Sequence, residues 1–217
     1  MKTKRLWKHF SELTECVKED HIKFKKPNDV HDFLHAIMVA QYCSIISENP
    51  YFGELAFVAG ICHNTDRLFG ENNVETRVSY YLNYLTGLTD GQKKTVLEAV
   101  INHSKPNDPD DNPVTIILKD ADRLAIIGPN SYIRVGQALS KCPAYNPRYI
   151  ENQDPKASYQ NPLNPLNAMK FWLEWETWLR VPKAKELAKP WFNMIRLFIS
   201  GIKNQLIETD LFPYPFE

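Results

Sequence analysis

The stretch Leu55-Ala56-Phe57-Val58-Ala59-Gly60-Ile61-Cys62-His63-Asn64-Thr65-Asp66-Arg67 decides the fold. Leu55, Phe57, Val58, Ala59, Ile61 and Cys62 make it apolar on most sides, which predicts a central, buried helix over about 52–63. That helix ends on His63, a titratable side chain. An imidazole at the end of a buried helix is costly unless it is paired, hydrogen-bonded or metal-bound. The stretch therefore predicts a helical core with a polar site at its rim.

Helical periodicity continues outward on both sides. Leu6, Phe10, Leu13 and Val17 recur at spacings of four, three and four, predicting a first helix over 4–20. After a polar break with Pro27, Asn28 or Asp29 is expected to cap a helix reaching about residue 47. Its stripe is Leu34, Ile37, Met38, Tyr42, Ile45 and Ile46, and Asn49-Pro50 ends it. Helices are expected over 74–86 and 91–103, the second capped by Thr89 or Asp90. Residues 114–126 read as another buried helix, although Val114 to Leu118 also suit a strand on local preference.

Residues 141–168 carry Pro143, Pro147, Pro155, Pro162 and Pro165 and read as a long surface excursion. C-terminal helices follow over 166–207, bounded or kinked by Pro182 and Pro190. Trp172, Trp175 and Trp178 are expected to be core packing. The whole, 1–217, is expected to be one all-α domain.

Composition narrows the function. The 26 basic and 26 acidic side chains cancel, so the electrostatic footprint of a nucleic-acid binder is absent. An anionic ligand would need a local site. The four cysteines form no CxxC pair and suit a reducing compartment, with a cytoplasmic location expected. The polar, basic start Met1 to Phe10 leads us to expect no signal peptide, and with no run of about 18 apolar residues no membrane partner is expected. The oligomeric state is left open between monomer and homodimer.

Four titratable groups sit at or inside apolar helices: His35, His63, His103 and Asp120. One such group is ordinarily a satisfied core residue. Four on separate helices are explained together by a shared site between those helices.

These segments resemble the HD superfamily of metal-dependent phosphohydrolases, closest to small bacterial HD proteins of uncertain substrate. His31-Asp32-Phe33-Leu34-His35 is similar to the opening helix, Leu55 to Arg67 to the doublet helix, and Lys119-Asp120-Ala121-Asp122-Arg123-Leu124 to the closing motif. The similarity covers about 28–140. It implies a metal-dependent phosphohydrolase acting on a small phosphoester or nucleotide-like substrate. It also implies one divalent ion (Mn, Fe, Ni, Zn or Mg) held by His35, His63, the Asn64 position and Asp120. His103 would face the phosphate or leaving group, and Arg67 and Arg123 would contact substrate or support the site. His31, one helical turn before His35, is expected in a supporting or substrate-contacting role, and its neighbour Asp32 as capping chemistry.

One departure matters. The family's doublet is His-Asp, whereas this chain has His63-Asn64. The amide is neutral and leaves the site one negative charge short. Asp66, three residues after His63, could supply the missing carboxylate, although pairing with Arg67 is the favoured expectation. The alternative is a degenerate HD fold that binds a phosphorylated ligand or partner without hydrolysis.

Overall fold

The computed structural model describes residues 5–24, 26, 30–130, 132–133 and 146–215. It is all-α, with no strand among the described residues. The helices are α1 (Leu6–His9), α2 (Ser11–Phe24), α3 (Phe33–Ile46), α4 (Pro50–Cys62), α5 (Thr65–Phe69), α6 (Val74–Leu82), α7 (Asp90–Asn102), α8 (Pro113–Ile127), α9 (Pro165–Trp178) and α10 (Pro182–Glu208). The described residues contain no helix long and apolar enough to cross a membrane.

The chain divides into two compact units, one comprising Met1–Ile126 with Arg180–Ala184, the other Ile127–Leu179 with Lys185–Glu217. In the first unit α4 is the central element, as its sequence predicts. Leu55 through Cys62 are buried without exception. α3 packs most extensively on α4, and α7 covers another side. The α3–α4 approach depends on Gly60. A Cβ there would lie 2.8 Å from Ala40 Cα and 3.0 Å from Ala40 N, closer than packed side chains come.

Helix ends carry the expected chemistry with shifted bounds. α3 begins at Phe33 with Asp32 as its cap, the Asp32 carboxylate accepting the His35 N–H at 2.9 Å. The alternative caps Asn28 and Asp29 lie outside the described residues. Thr89 caps α7 in a reciprocal box with Gln92. The strand alternative for Val114 to Leu118 is not adopted. Pro113 opens α8, and Asn112 accepts the Thr115 N–H at 2.9 Å, so a start signal overrides β-branched preference. Elsewhere in the unit, Asp20 on α2 ties to α6. It accepts from the Tyr81 hydroxyl at 2.6 Å and forms an ion pair with Arg77.

In the second unit, the described part of the Pro-rich excursion (146–164) opens with a single 3₁₀ turn, Pro147–Tyr149. It is pinned to α9, where the Lys170 ammonium donates to the carbonyls of Tyr149 and Asn152. Trp175 is buried, with the Tyr159 ring 5.6 Å away. Trp172 is half-buried and Trp178 is exposed, so only one of the three tryptophans fully joins the core. At i, i+3 and i+6 the three spread over more of the helix than its buried face covers. Pro190 lies inside α10, and the helix continues past it.

Candidate metal centre

Three elements of the first unit converge on one small space. His35 sits one turn into α3, His63 follows the last residue of α4, and Asp122 lies in the middle of α8. Their ligand atoms all lie within 4.8 Å of one another. His35 Nε2 is 3.1 Å from Asp122 Oδ1, His63 Nε2 is 3.8 Å from the same oxygen, and the two ring centroids are 5.1 Å apart. Donors bonded at about 2.1 Å to one ion stand roughly 3–4 Å from each other, so the spacing fits a single cation.

The hydrogen-bond inventory points the same way. His35 Nε2, His63 Nε2 and Asp122 Oδ1 are buried, and among the described residues no group outside the cluster hydrogen-bonds any of them. His63 Nδ1 lies 2.6 Å from the Gly60 carbonyl. A carbonyl only accepts, so Nδ1 carries the proton and Nε2 presents its lone pair to the cluster. Donating the far ring nitrogen to a carbonyl is the usual way a metal-ligating histidine is oriented.

Burial pushes the His63 imidazolium well below its ordinary pKa, against the pull of Asp122. Burial would raise Asp122, but the His35 contact and the neighbouring imidazoles outweigh it and hold the carboxylate ionised. A lone pair and an anionic oxygen thus face each other across 3.8 Å. The donor set, two imidazoles and one carboxylate, suits a divalent transition ion.

Asp120, expected as the carboxylate ligand, is not part of this group. Its side chain is fully buried and accepts the backbone N–H groups of Arg180 and Val181 at 2.6 and 2.7 Å, with Arg123 at 3.2 Å. Burial raises its pKa in spite of those donors. The reason is helical geometry. Positions two apart differ by roughly 200° around an α-helix, so Asp120 and Asp122 cannot face the same imidazoles.

Arg123 is likewise turned inward, donating to Asp120 and, at 2.9 Å, to Asn107 Oδ1 in the loop before α8. That places it as a brace for the loop and away from the substrate contact expected of it. Lys119 and Arg180, which the sequence reading did not single out, complete the brace. The Lys119 ammonium bonds both Asp111 oxygens and the Pro106 carbonyl, and Arg180 pairs with Asp111 at 2.8 Å.

The remaining expected residues fall into three groups. His31 and His103 extend the imidazole cluster into a row, with centroid separations of 5.6 Å for His31–His35 and 5.3 Å for His63–His103. His103 is half-buried, and its Nδ1 lies 2.6 Å from the Val100 carbonyl, repeating the His63 arrangement. Asp66 pairs with Arg67 at 3.4 Å and stands outside the three-residue cluster, so it does not replace the missing doublet carboxylate. Arg67 is exposed.

Asn64 is 2% exposed, makes no side-chain cap to α5, and has its amide nitrogen buried without a partner.

No protein-family model matches the sequence, and no curated protein matches it. Among solved structures, the crystal structure of an HD-superfamily hydrolase from Bacillus thuringiensis superposes with a TM-score of 0.63 at 20% identity. It covers 91% of this chain and 96% of its own. The chain thus has the fold of an HD-superfamily hydrolase.

Proposed function

We propose that this protein is a metal-dependent phosphohydrolase acting on a small phosphoester or nucleotide-like substrate. The observation that carries the reading is the convergence of three buried ligand atoms, from His35, His63 and Asp122, that no described group outside the cluster satisfies. These residues would hold one divalent ion. When bound, such an ion supplies Lewis acidity toward a phosphoryl oxygen and makes water nucleophilic near neutral pH.

The chain's own residues supply the rest. His103, with Nδ1 committed to the Val100 carbonyl, presents Nε2 as the nitrogen that takes or returns a proton at the phosphoryl group or its leaving oxygen. Arg67, exposed and close in sequence to the doublet, would meet a phosphate from the solvent side. His31 orients His35 by ring contact.

The test is direct. Purified protein is assayed for bound metal and screened against phosphoesters with Mn²⁺, Ni²⁺, Co²⁺ and Mg²⁺. Turnover that disappears in His63→Ala is the expected result. Absence of both metal and turnover would remove the assignment. Asn64 favours one second reading, a binding protein for a phosphorylated ligand that holds its ion without hydrolysis. Metal retention without turnover, with turnover gained in Asn64→Asp, would select that reading.

A further inference from the structure

The metal reading leaves unused a buried amide next to the doublet histidine, and its chemistry differs from that of its neighbours. Asn64 directly follows His63 at the turn between α4 and α5. Asparagine is a favoured helix cap, yet the Asn64 side chain does not cap α5. It is 98% buried by its 2% exposure, and its amide nitrogen has no hydrogen-bond acceptor. A buried amide donor without an acceptor is unfavourable, and each such group calls for an explanation.

Charge supplies that explanation. A divalent ion held by neutral imidazoles and one carboxylate carries a net charge of +1. Among the described residues no second carboxylate joins the cluster. The Asp120 oxygens are committed to Arg180, Val181 and Arg123, and Asp66 lies outside the cluster beside Arg67. The searched residues place only His35, His63 and Asp122 in one such group. In a buried setting an uncompensated positive centre attracts an anion more strongly than it would in water. An oxyanion would neutralise the centre and give the Asn64 amide its acceptor.

We propose that Asn64 is a substrate-binding residue that makes this centre retain oxyanions, donating its amide N–H to a phosphate oxygen and leaving the ion one negative charge short. The inference rests on the metal reading above. A carboxylate at position 64 would act in the opposite direction on both counts. It would bind the ion more tightly, cancel the charge and present an acceptor to the phosphate.

The experiment compares the natural protein, Asn64→Asp and Asn64→Ala by calorimetry, in two stages. Ni²⁺ is titrated first into each metal-free protein, and inorganic phosphate is then titrated into each Ni²⁺-loaded protein. The expected result is tighter Ni²⁺ binding in Asn64→Asp with phosphate affinity weakened about tenfold or more. Asn64→Ala keeps the charge and loses the donor, so its phosphate affinity should fall between the two. Phosphate bound equally by all three Ni²⁺-loaded proteins overturns the role given to Asn64 while leaving the metal reading intact. Absence of Ni²⁺ binding in the natural protein overturns the metal reading itself, and this inference with it. Thermal melts of each variant separate a folding defect from a binding one, and Asn64→Ala decides the donor role should Asn64→Asp fail to fold.

Discussion

Replacing each carboxylate of Asp120-Ala121-Asp122 by alanine should give opposite phenotypes. Asp120 is 0% exposed and serves three donors, the N–H groups of Arg180 and Val181 and the Arg123 guanidinium. Asp120→Ala strands all three, and Arg123 becomes a buried cation without its carboxylate. Removing one member of a buried ion pair costs about 3–5 kcal/mol. Against a total stability of roughly 5–15 kcal/mol this is a large share, and it corresponds to a melting temperature lower by ~10 °C or more. Asp122 differs because its Oδ1 faces the His35 and His63 imidazoles, 3.1 and 3.8 Å away, which become neutral when it is removed and leave no cation stranded. Asp122→Ala should change stability by about 1 kcal/mol or less and abolish metal binding. Urea denaturation and Ni²⁺ calorimetry on both variants read the two quantities separately. If Asp122→Ala binds Ni²⁺ normally while Asp120→Ala folds normally and does not, the assignment of the two carboxylates is reversed and the reasoning fails.

Two more outcomes follow from the packing and the charges. Gly60→Ala would set a methyl group 2.8 Å from Ala40 Cα, so α3 and α4 must part. The expected cost is about 1–3 kcal/mol, with weaker Ni²⁺ binding as His35 and His63 separate; natural values for both stability and affinity would refute the close-packing argument. Asp111 is raised by burial but lowered further by Lys119, the Asp108 N–H and Arg180, so its folded pKa lies below the ordinary value. Its stabilisation is therefore complete above about pH 4 and is lost as pH falls through the folded pKa. Melting curves of the natural protein and Asp111→Asn should converge on acidification, and a gap that stays constant down to pH 2 would sink this account.

Much of this was legible in the sequence for physical reasons. A run that is apolar on most sides has only one place to go, so Leu55 to Cys62 located the centre of the core. His35 and His63 were readable because an imidazole inside or at the end of such a helix needs a partner. The choice between Asp120 and Asp122 was not readable from spacing alone, since both sit on the same helix and its rotation is fixed by packing. Ile117 and Leu124 lie at helical spacing from Asp120, and Leu118 and Ala125 lie at helical spacing from Asp122, so apolar neighbours flank both carboxylates; in the structure Asp120 is fully buried and Asp122 is 22% exposed. The Lys119–Asp111–Arg180 brace was hidden because its members are far apart in sequence and individually resemble surface charges. The same holds for Trp178, whose aromatic character suggested burial that its position on α9 does not provide.

The contacts of His63 and His103 with the carbonyls of Gly60 and Val100 have a consequence for how this region tolerates change. In both, the acceptor is main chain, which every residue type possesses. Exchange of the Val100 side chain, for instance, leaves the oxygen where it is. The protonation pattern of both rings is thus written into the end of a helix and is insulated from drift in neighbouring side chains. A mutational scan of the surroundings would register no orienting partner for either histidine, although each has one.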